Sequence, residues 1–360
     1  MLYFIQMNTV SPFFADIMSP RFNSDAVLDL SQGGRVLIIS DFHMGDGGRA
    51  DDLSRNGPLV CDLLERYYYP QGWYLILNGD IEELQRYNLE KIRARWHRLY
   101  EIFSLFSSAG RLYKTLGNHD EALVFEKDYP YALYNAVRIE TGVVPVFVYH
   151  GHQSSKVYSG YNHVIRLLLR YIVKPFGIKN ISSARSPHRR FHVEREAYTF
   201  SLAHNCISVI GHTHRPLFES LGRFDYIKFE IERLCRDYPG LPGEQQRRIA
   251  DEIRTLRFEM AKLKRSERRS VLRQSLYGDD MAVPCLFNSG SAIGKKGINA
   301  IELDSGSIAL VYWFTEGEGK NFVSRGGYQV DKLSGGGRMR AVLNRDTLEF
   351  IKAKIDLLGR

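Results

Sequence analysis

Short apolar, β-rich runs recur along the chain, and each gives way to a polar cluster. Residues 36–40 lead into DFHMGDGG, 73–77 into NGDIEE, 111–116 into GNHDEA, 143–149 into HGHQ, 206–210 into GHTHRP, and 284–287 into NSGSAIG. Runs of this length and composition predict buried strands. Between several of them lie helical patterns, at 59–69, 89–106 and 132–139. Strands alternating with helices predict an α/β domain. In open α/β sheets ligands collect beyond the carboxyl ends of the strands, and every polar cluster lies at such an end.

Two segments interrupt the alternation. Residues 154–200 combine an apolar, helix-like piece, HVIRLLLRYIV, with the basic stretch RSPHRRFH. In 222–276, Phe224, Ile227, Ile231 and Leu234 are spaced 3, 4, 3, and Ile249, Ile253, Leu256, Met260 and Leu263 are spaced 4, 3, 4, 3. These a/d seams flank the turn YPGLPG, which predicts an antiparallel, coiled-coil-like helical hairpin. From Glu244 to Arg273 there are 10 Lys/Arg against 5 Asp/Glu. A solvated arm explains that excess most simply, and a docking arm for protein contact or oligomerisation is the alternative. The organisation expected is an N-terminal tail (1–33) and one domain (34–360) with insertions at 154–200 and 222–276.

Composition narrows the class. The 360 residues are 44% apolar and 25% charged, as in a soluble globular protein. Four scattered cysteines form no CxxC pair, which argues against a zinc ribbon or a disulfide framework and fits a reducing cytoplasm. The N-terminus lacks the pattern of a secretory signal, and no apolar run reaches the length of a spanning helix. The expected location is cytoplasmic, with peripheral contact at the inner membrane face as a further option. A net charge of +8 suits anionic partners such as phosphorylated metabolites, anionic lipid or nucleic acid.

The strand-end clusters are rich in potential metal ligands. Asp41 and His43 share a D-x-H spacing, and His212 and His214 an H-x-H spacing. In extended chain such pairs point the same way. Asp80 follows Asn78-Gly79, Asn118, His119 and Asp120 follow Gly117, and His150 and His152 bracket Gly151. A single ion rarely needs more than four protein ligands, so this many donors suggests two ions sharing a carboxylate. Nitrogen and oxygen donors without thiolate suit manganese, iron or zinc.

The ordered set DFH, GD, GNHD, HGH and GHTH, within 34–216, resembles the calcineurin-like metallophosphoesterases. The resemblance implies a four-layer α/β/β/α sandwich of two mixed sheets with helices outside and metals at the strand ends. It implies that Asp41, His43, Asp80 and His214 hold one divalent ion and Asp80, Asn118, His150 and His212 a second, with Asp80 bridging. Manganese is the first expectation, with iron or zinc as alternatives. His119 matches the family's catalytic histidine, which sits beside the metals without ligating them, and Asp120 would orient it. NSGSA (288–292) also resembles a family element. The implied activity is hydrolysis of a phosphodiester or pyrophosphate bond through a metal-bridging hydroxide. Arg49, Arg215 and His152 lie beside the ligand loops as candidate substrate contacts.

HGHQ, an apolar-basic insertion and then GHTHRP also look like relatives of UDP-2,3-diacylglucosamine hydrolase. That likeness implies a lipid-linked UDP-sugar substrate and a membrane-surface role for HVIRLLLRYIVKPFGIK. Other phosphate-containing small molecules remain candidate substrates. A nucleotide or nucleic-acid phosphodiesterase is the main alternative, although no aromatic-interleaved basic strip is evident. A phosphoprotein phosphatase is a third reading. A non-catalytic scaffold is disfavoured because every ligand position is filled.

Overall fold

The structure is a computed structural model and describes residues 27–154, 187–218, 231, 234–235, 238–267, 283–319, 323, 328–334 and 336–358. By compactness the chain divides into one unit of Met1–Phe218 with Cys285–Arg360 and a second of Glu219–Pro284. The larger unit is mixed α/β and contains two mixed sheets.

The larger sheet is built on β2 (Arg35–Ile39), β3 (Tyr74–Asn78), β4 (Leu112–Thr115) and β5 (Leu133–Tyr134), which pair in parallel in that order. On the other side of β2 it continues antiparallel through β10 (Ile298–Asp304), β11 (Ser307–Thr315), β13 (Arg338–Thr347) and β12 (Val330–Leu333). The smaller sheet has the order β1 (Val27–Asp29), β6 (Ala136–Glu140), β7 (Val146–Tyr149), β8 (Ile207–Ile210) and β9 (Leu286–Asn288). Only its β6–β7 pair is antiparallel.

Alternation along the central strands explains their two-sided burial. Leu37, Ile39, Leu75 and Leu77 enter a core with Leu59, Val60 and Leu63 of α1 (Gly57–Leu63). Leu99, Ile102, Phe103 and Phe106 of α3 (His97–Ser108) complete that layer. Val36, Ile38 and Ile76 are fully buried on the opposite face. Asn78 on that sheet donates through Nδ2 to the Tyr149 carbonyl of β7 (3.1 Å), a direct tie between the two sheets. A sheet covered on both faces reads as a continuous apolar run, which is why these strands stood out.

Three expectations change. The stretch 132–139 is not a helix but β5 and the start of β6. Val137 and Ile139 are buried while Arg138 and Glu140 are less so, a period of two. The stretch 89–106 is two helices, α2 (Leu89–Arg95) and α3, divided at Trp96. The sheet also begins before residue 34: Leu28 of β1 and Leu30 beyond it are buried, and β1 pairs with β6. Within 154–200, α4 (Pro187–His204) is described; HVIRLLLRYIV lies outside the described residues. In the second unit, α5 (Gly243–Glu267) covers the second arm of the expected hairpin, with Ile249, Ile253, Leu256 and Met260 less exposed than Arg248, Arg254 and Arg257. Most of the first arm lies outside the described residues. The chain ends with α6 (Leu348–Leu358), against β13. Among the described residues no helix is long and apolar enough to cross a membrane.

One buried polar network ties the antiparallel part of the large sheet to the segment after α1. Tyr68 donates to Glu302 Oε1 (2.6 Å) and Trp313 Nε1 donates to Tyr68 (2.8 Å). Arg340 donates through Nε to Glu302 Oε1 (2.9 Å) and through Nη1 to Asp331 (2.9 Å). Removing the Glu302 carboxylate takes two hydrogen bonds from a guanidinium that is 5% exposed and leaves it with Asp331 alone among the carboxylates described. We expect Glu302→Ala to cost about 3–5 kcal/mol, read as a lower urea midpoint; an unchanged midpoint would show that the network contributes nothing.

Candidate metal centre

The ligand clusters leave β2, β3, β4, β7 and β8 at their carboxyl ends, and the loops then run alongside one another. Asp41 N donates to Gly79 O (3.1 Å), His43 N to Asp80 O (3.0 Å) and Met44 N to Ile81 O (2.9 Å), so the DFHM and GDIE backbones stay in register beyond the strands. Leu84 N donates to His119 O (3.1 Å), and Gly211 N to His150 O (3.1 Å). Glycine permits this closeness. A Cβ on Gly117 would lie 2.1 Å from Asp80 Oδ1, and one on Gly211 2.8 Å from Asp41 Oδ2.

The ligand backbones are not extended. Asp41 (φ 56°), His43 (47°), Asp80 (54°), His212 (61°) and His214 (54°) all lie in the left-handed region. Among the described residues the other non-glycine positions with positive φ are Asn205 and Ser305. Neither the D-x-H nor the H-x-H pair projects from extended chain, but Asp41 and His43 still fall in one group as expected; the expectation for the H-x-H pair is corrected, since its two members turn to different partners. His214 joins Asp41 and His43, whereas His212 joins Asp80 and His150. Left-handed conformations are unfavourable for these residue types and cluster where function demands them.

Three groups result: Asp41, His43 and His214; His43, Asp80 and His119; and Asp80, His150 and His212, with the donor atoms of each group within 4.8 Å of one another. Asp80 belongs to two of them. His43 Nε2 and His214 Nε2 stand 3.2 Å apart, and two lone pairs at that distance need a cation or proton between them. His214 Nε2 is 3.0 Å from Asp41 Oδ1 and His150 Nε2 is 3.1 Å from Asp80 Oδ2. Asp41 Oδ1 and His150 Nε2 nevertheless make no hydrogen bond of acceptable geometry. These buried atoms converge on shared points rather than on each other. A mixed carboxylate–imidazole set of this kind fits divalent metal.

The outward nitrogens of these rings are held. His150 Nδ1 donates to the Asn78 carbonyl (2.8 Å), and His43 Nδ1 to Glu83 Oε2 (3.0 Å), which leaves each Nε2 lone pair for ligation. Ser40 donates to Asp41 Oδ2 and lies 2.8 Å from the Ser289 hydroxyl. The 288–292 element thus braces the first ligand loop. Electrostatics agree with the geometry. Burial raises the Asp80 pKa, but His150 and His119 outweigh it and hold the carboxyl well below the usual range. Burial and the neighbouring His150 push His212 down to about 3, so it stays neutral.

His119 and Asp120 separate in role. His119 N donates to Asp80 Oδ1 (2.8 Å), and its ring Nδ1 lies 2.9 Å from Glu83 Oε1. Burial alone would lower its pKa; Asp80 and Glu83 reverse that and raise it. The expected orienting role of Asp120 is corrected. Its oxygens accept from Gly117 N (2.6 Å), Ile81 N (2.8 Å) and Lys114 Nζ (3.0 Å), so it stitches two loops together. Glu83 is the carboxylate that holds His119, and its signal in sequence was the second glutamate of NGDIEE. Asn118 lies between Gly117 and His119, and its backbone carbonyl accepts from Gln85 Nε2 (3.0 Å).

The candidate substrate contacts diverge. Arg49 is exposed on the loop after the DFH cluster. Arg215 is already engaged: its Nε donates to Glu194 Oε1 (3.1 Å) and its Nη2 to Oε2, so it is an anchored cation rather than an idle phosphate clamp. His152 is buried, its ring centroid 5.4 Å from that of His150, and belongs to none of the three groups.

The calcineurin-like phosphoesterase family model matches residues 34–238, more than half of the chain, and the protein belongs to that family. No curated protein matches it. Yfce, a phosphoesterase from E. coli, is 12% identical; the match covers 76% of this chain and 91% of that one, with a TM-score of 0.32. Vacuolar protein sorting 29 from Cryptosporidium parvum is 12% identical, covering 80% and 95%, with a TM-score of 0.33. A protein of unknown function from Aquifex aeolicus is 20% identical over 51% of this chain and 80% of its own, with a TM-score of 0.28.

Two expectations follow. Gly117→Ala should cost about 10²-fold in phosphoesterase activity, because its methyl group displaces Asp80 by an ångström or so; kinetics within twofold of wild type would contradict the close approach. The second concerns pH. Burial alone would lower His150, but Asp80 and Asp41 raise it from 6.5 to about 9 in metal-free protein. A raised pKa stabilises the fold fully below about 6.5 and less as pH climbs to about 9. The melting temperature of chelator-treated protein should fall across that window, and Mn²⁺ should abolish the fall by replacing the proton. A flat profile after chelation would contradict it.

Proposed function

We propose that the protein is a metal-dependent phosphoesterase whose Asp80-centred groups hold two divalent cations, manganese first among them. The observation that carries this reading is Asp80, which stands with His43 and His119 in one group and with His150 and His212 in another, while His43 also joins Asp41 and His214. Asn118 would complete the second set. Cations held there would supply Lewis acidity at the phosphate and make water a nucleophile near neutral pH.

The chain's own residues do the remaining work. Glu83 accepts the Nδ1 proton of His119, which leaves Nε2 as the nitrogen that meets substrate. Raised in pKa, that imidazolium can donate its Nε2 proton to the departing oxygen as the phosphorus–oxygen bond breaks. It can also balance charge on the non-bridging oxygens. Phosphodiesters and pyrophosphates are the substrate classes we favour. The lipid-linked UDP-sugar reading rests on HVIRLLLRYIVKPFGIK, which lies outside the described residues.

The test is hydrolysis with added Mn²⁺ of bis-p-nitrophenyl phosphate, p-nitrophenyl phosphate, a UDP-diacylglucosamine and single-stranded DNA. We expect diester cleavage that is lost with chelator and with Asp80→Ala. His119→Ala should lower kcat by about 10²–10⁴-fold, and Glu83→Gln should lower it while shifting the pH profile. Turnover of p-nitrophenyl phosphate alone would move the assignment to a monoesterase. Turnover that survives Asp80→Ala would refute the metal reading.

A further inference from the structure

The residue between the two histidines of GHTH carries a buried hydroxyl held by two partners. Thr213 is fully buried, and its Oγ1 accepts from Asn288 Nδ2 (2.9 Å) and donates to Glu194 Oε1 (3.0 Å). Asn288 also donates to Gly211 O (3.0 Å), and Thr213 N donates to the same carbonyl (2.6 Å). A hydroxyl has one proton to give, and here it goes to a carboxylate only 2% exposed. The second oxygen of that carboxylate takes Arg215 Nη2, so Glu194 grips two neighbouring residues of the ligand loop at once.

Glu194 comes from α4, the described end of the 154–200 segment. Val193 on the same helix places a methyl carbon 3.4 Å from where a Cβ on Gly151 would lie. One turn of α4 therefore abuts both the HGH and the GHTH loops.

We infer that Glu194 is a positioning residue for the metal centre, acting through Thr213 on His212 and His214. The inference rests on the reading that these histidines hold cations. The histidines serve different groups and both carry positive φ. A single latch at the residue between them restrains one ligand of each ion against relaxing to an ordinary backbone conformation. The helix that closes the 154–200 segment is then part of the support of the metal centre.

The experiment titrates metal-depleted protein with Mn²⁺ by calorimetry, alongside thermal melts of the same metal-free samples. Wild type is compared with Glu194→Ala, Thr213→Val, Thr213→Ser and the Glu194→Ala/Thr213→Val double variant. Loss of a group that orients a ligand weakens metal binding by about 10–100-fold. We expect that loss in Glu194→Ala and Thr213→Val, no further loss in the double variant, and recovery in Thr213→Ser, which keeps the hydroxyl. Thr213→Val leaves Glu194 and Asn288 each one hydrogen bond short and should melt below Thr213→Ser, so affinities are compared well below both metal-free melting temperatures, separating affinity from folding. If Glu194→Ala does not fold, the near-isosteric Val and Ser pair decides. Affinity of Thr213→Val within twofold of wild type, or of Thr213→Ser as weak as Thr213→Val, overturns the inference while leaving the metal reading intact. Failure of wild type itself to bind Mn²⁺ overturns both.

Discussion

Buried carboxylates and imidazoles facing one another across less than 5 Å are the constraint around which this molecule is arranged. Asp41, Asp80, His150 and His212 are held where water cannot screen them, on backbones that, apart from that of His150, lie in the left-handed region. Each such residue costs about 1–2 kcal/mol, and a domain's net stability is only about 5–15 kcal/mol. The strain persists because the surroundings over-determine it. Strand-like hydrogen bonds continue past β2 and β3, and glycines at 79, 117 and 211 let the loops close to contact distance. Cations in the cluster would convert its repulsions into bonds, so the folded scaffold and the chemistry it supports depend on the same charges.

A set of residues around the ligands carries that constraint outward. Glu83 accepts from His43 and His119 together, joining two strand-end loops through one carboxylate. Burial alone would raise its pKa, but His119 and His43 lower it to about 2, so it is charged at neutral pH. Behind it, Lys114 is fully buried between Glu82 and Asp120 (2.8 and 3.0 Å), and Tyr100 and Tyr129 each donate to Glu82 (2.8 Å). Every charge in this layer has a partner, as burial requires. Removing one member would leave the others exposed to the full cost of burial. The GNHD loop is therefore anchored by charge pairing beneath it as well as by apolar packing.

Much of this was legible in the chain. Central strands buried on both faces show as uninterrupted apolar runs, and metal ligands at strand ends show as polar clusters that terminate them. The helical reading of 132–139 failed because Ala, Leu and Tyr at its start mask the two-residue period of Val137 and Ile139. The antiparallel strands from 298 to 347 carry no ligand cluster, so nothing set them apart from ordinary apolar sequence. Glu83 was passed over because a carboxylate after Asp80 reads equally well as a surface residue until His43 and His119 are seen to converge on it.

What the sequence determined by itself was the donor inventory and its order: which residue types leave which strand end, and hence the metal chemistry and the family. Those properties are local, because they depend on hydrophobic period and on spacing within a few residues. Tertiary structure alone decided the groupings, since His212 and His214 are separated by one residue yet turn to different partners. It also decided that Glu83 rather than Asp120 holds His119, and that Glu194, far from any motif, grips the loop between two ligands. Such assignments depend on which strands lie side by side and on where each buried charge finds its counter-charge. Sequence separations of 19 to 171 residues between the partners do not encode either.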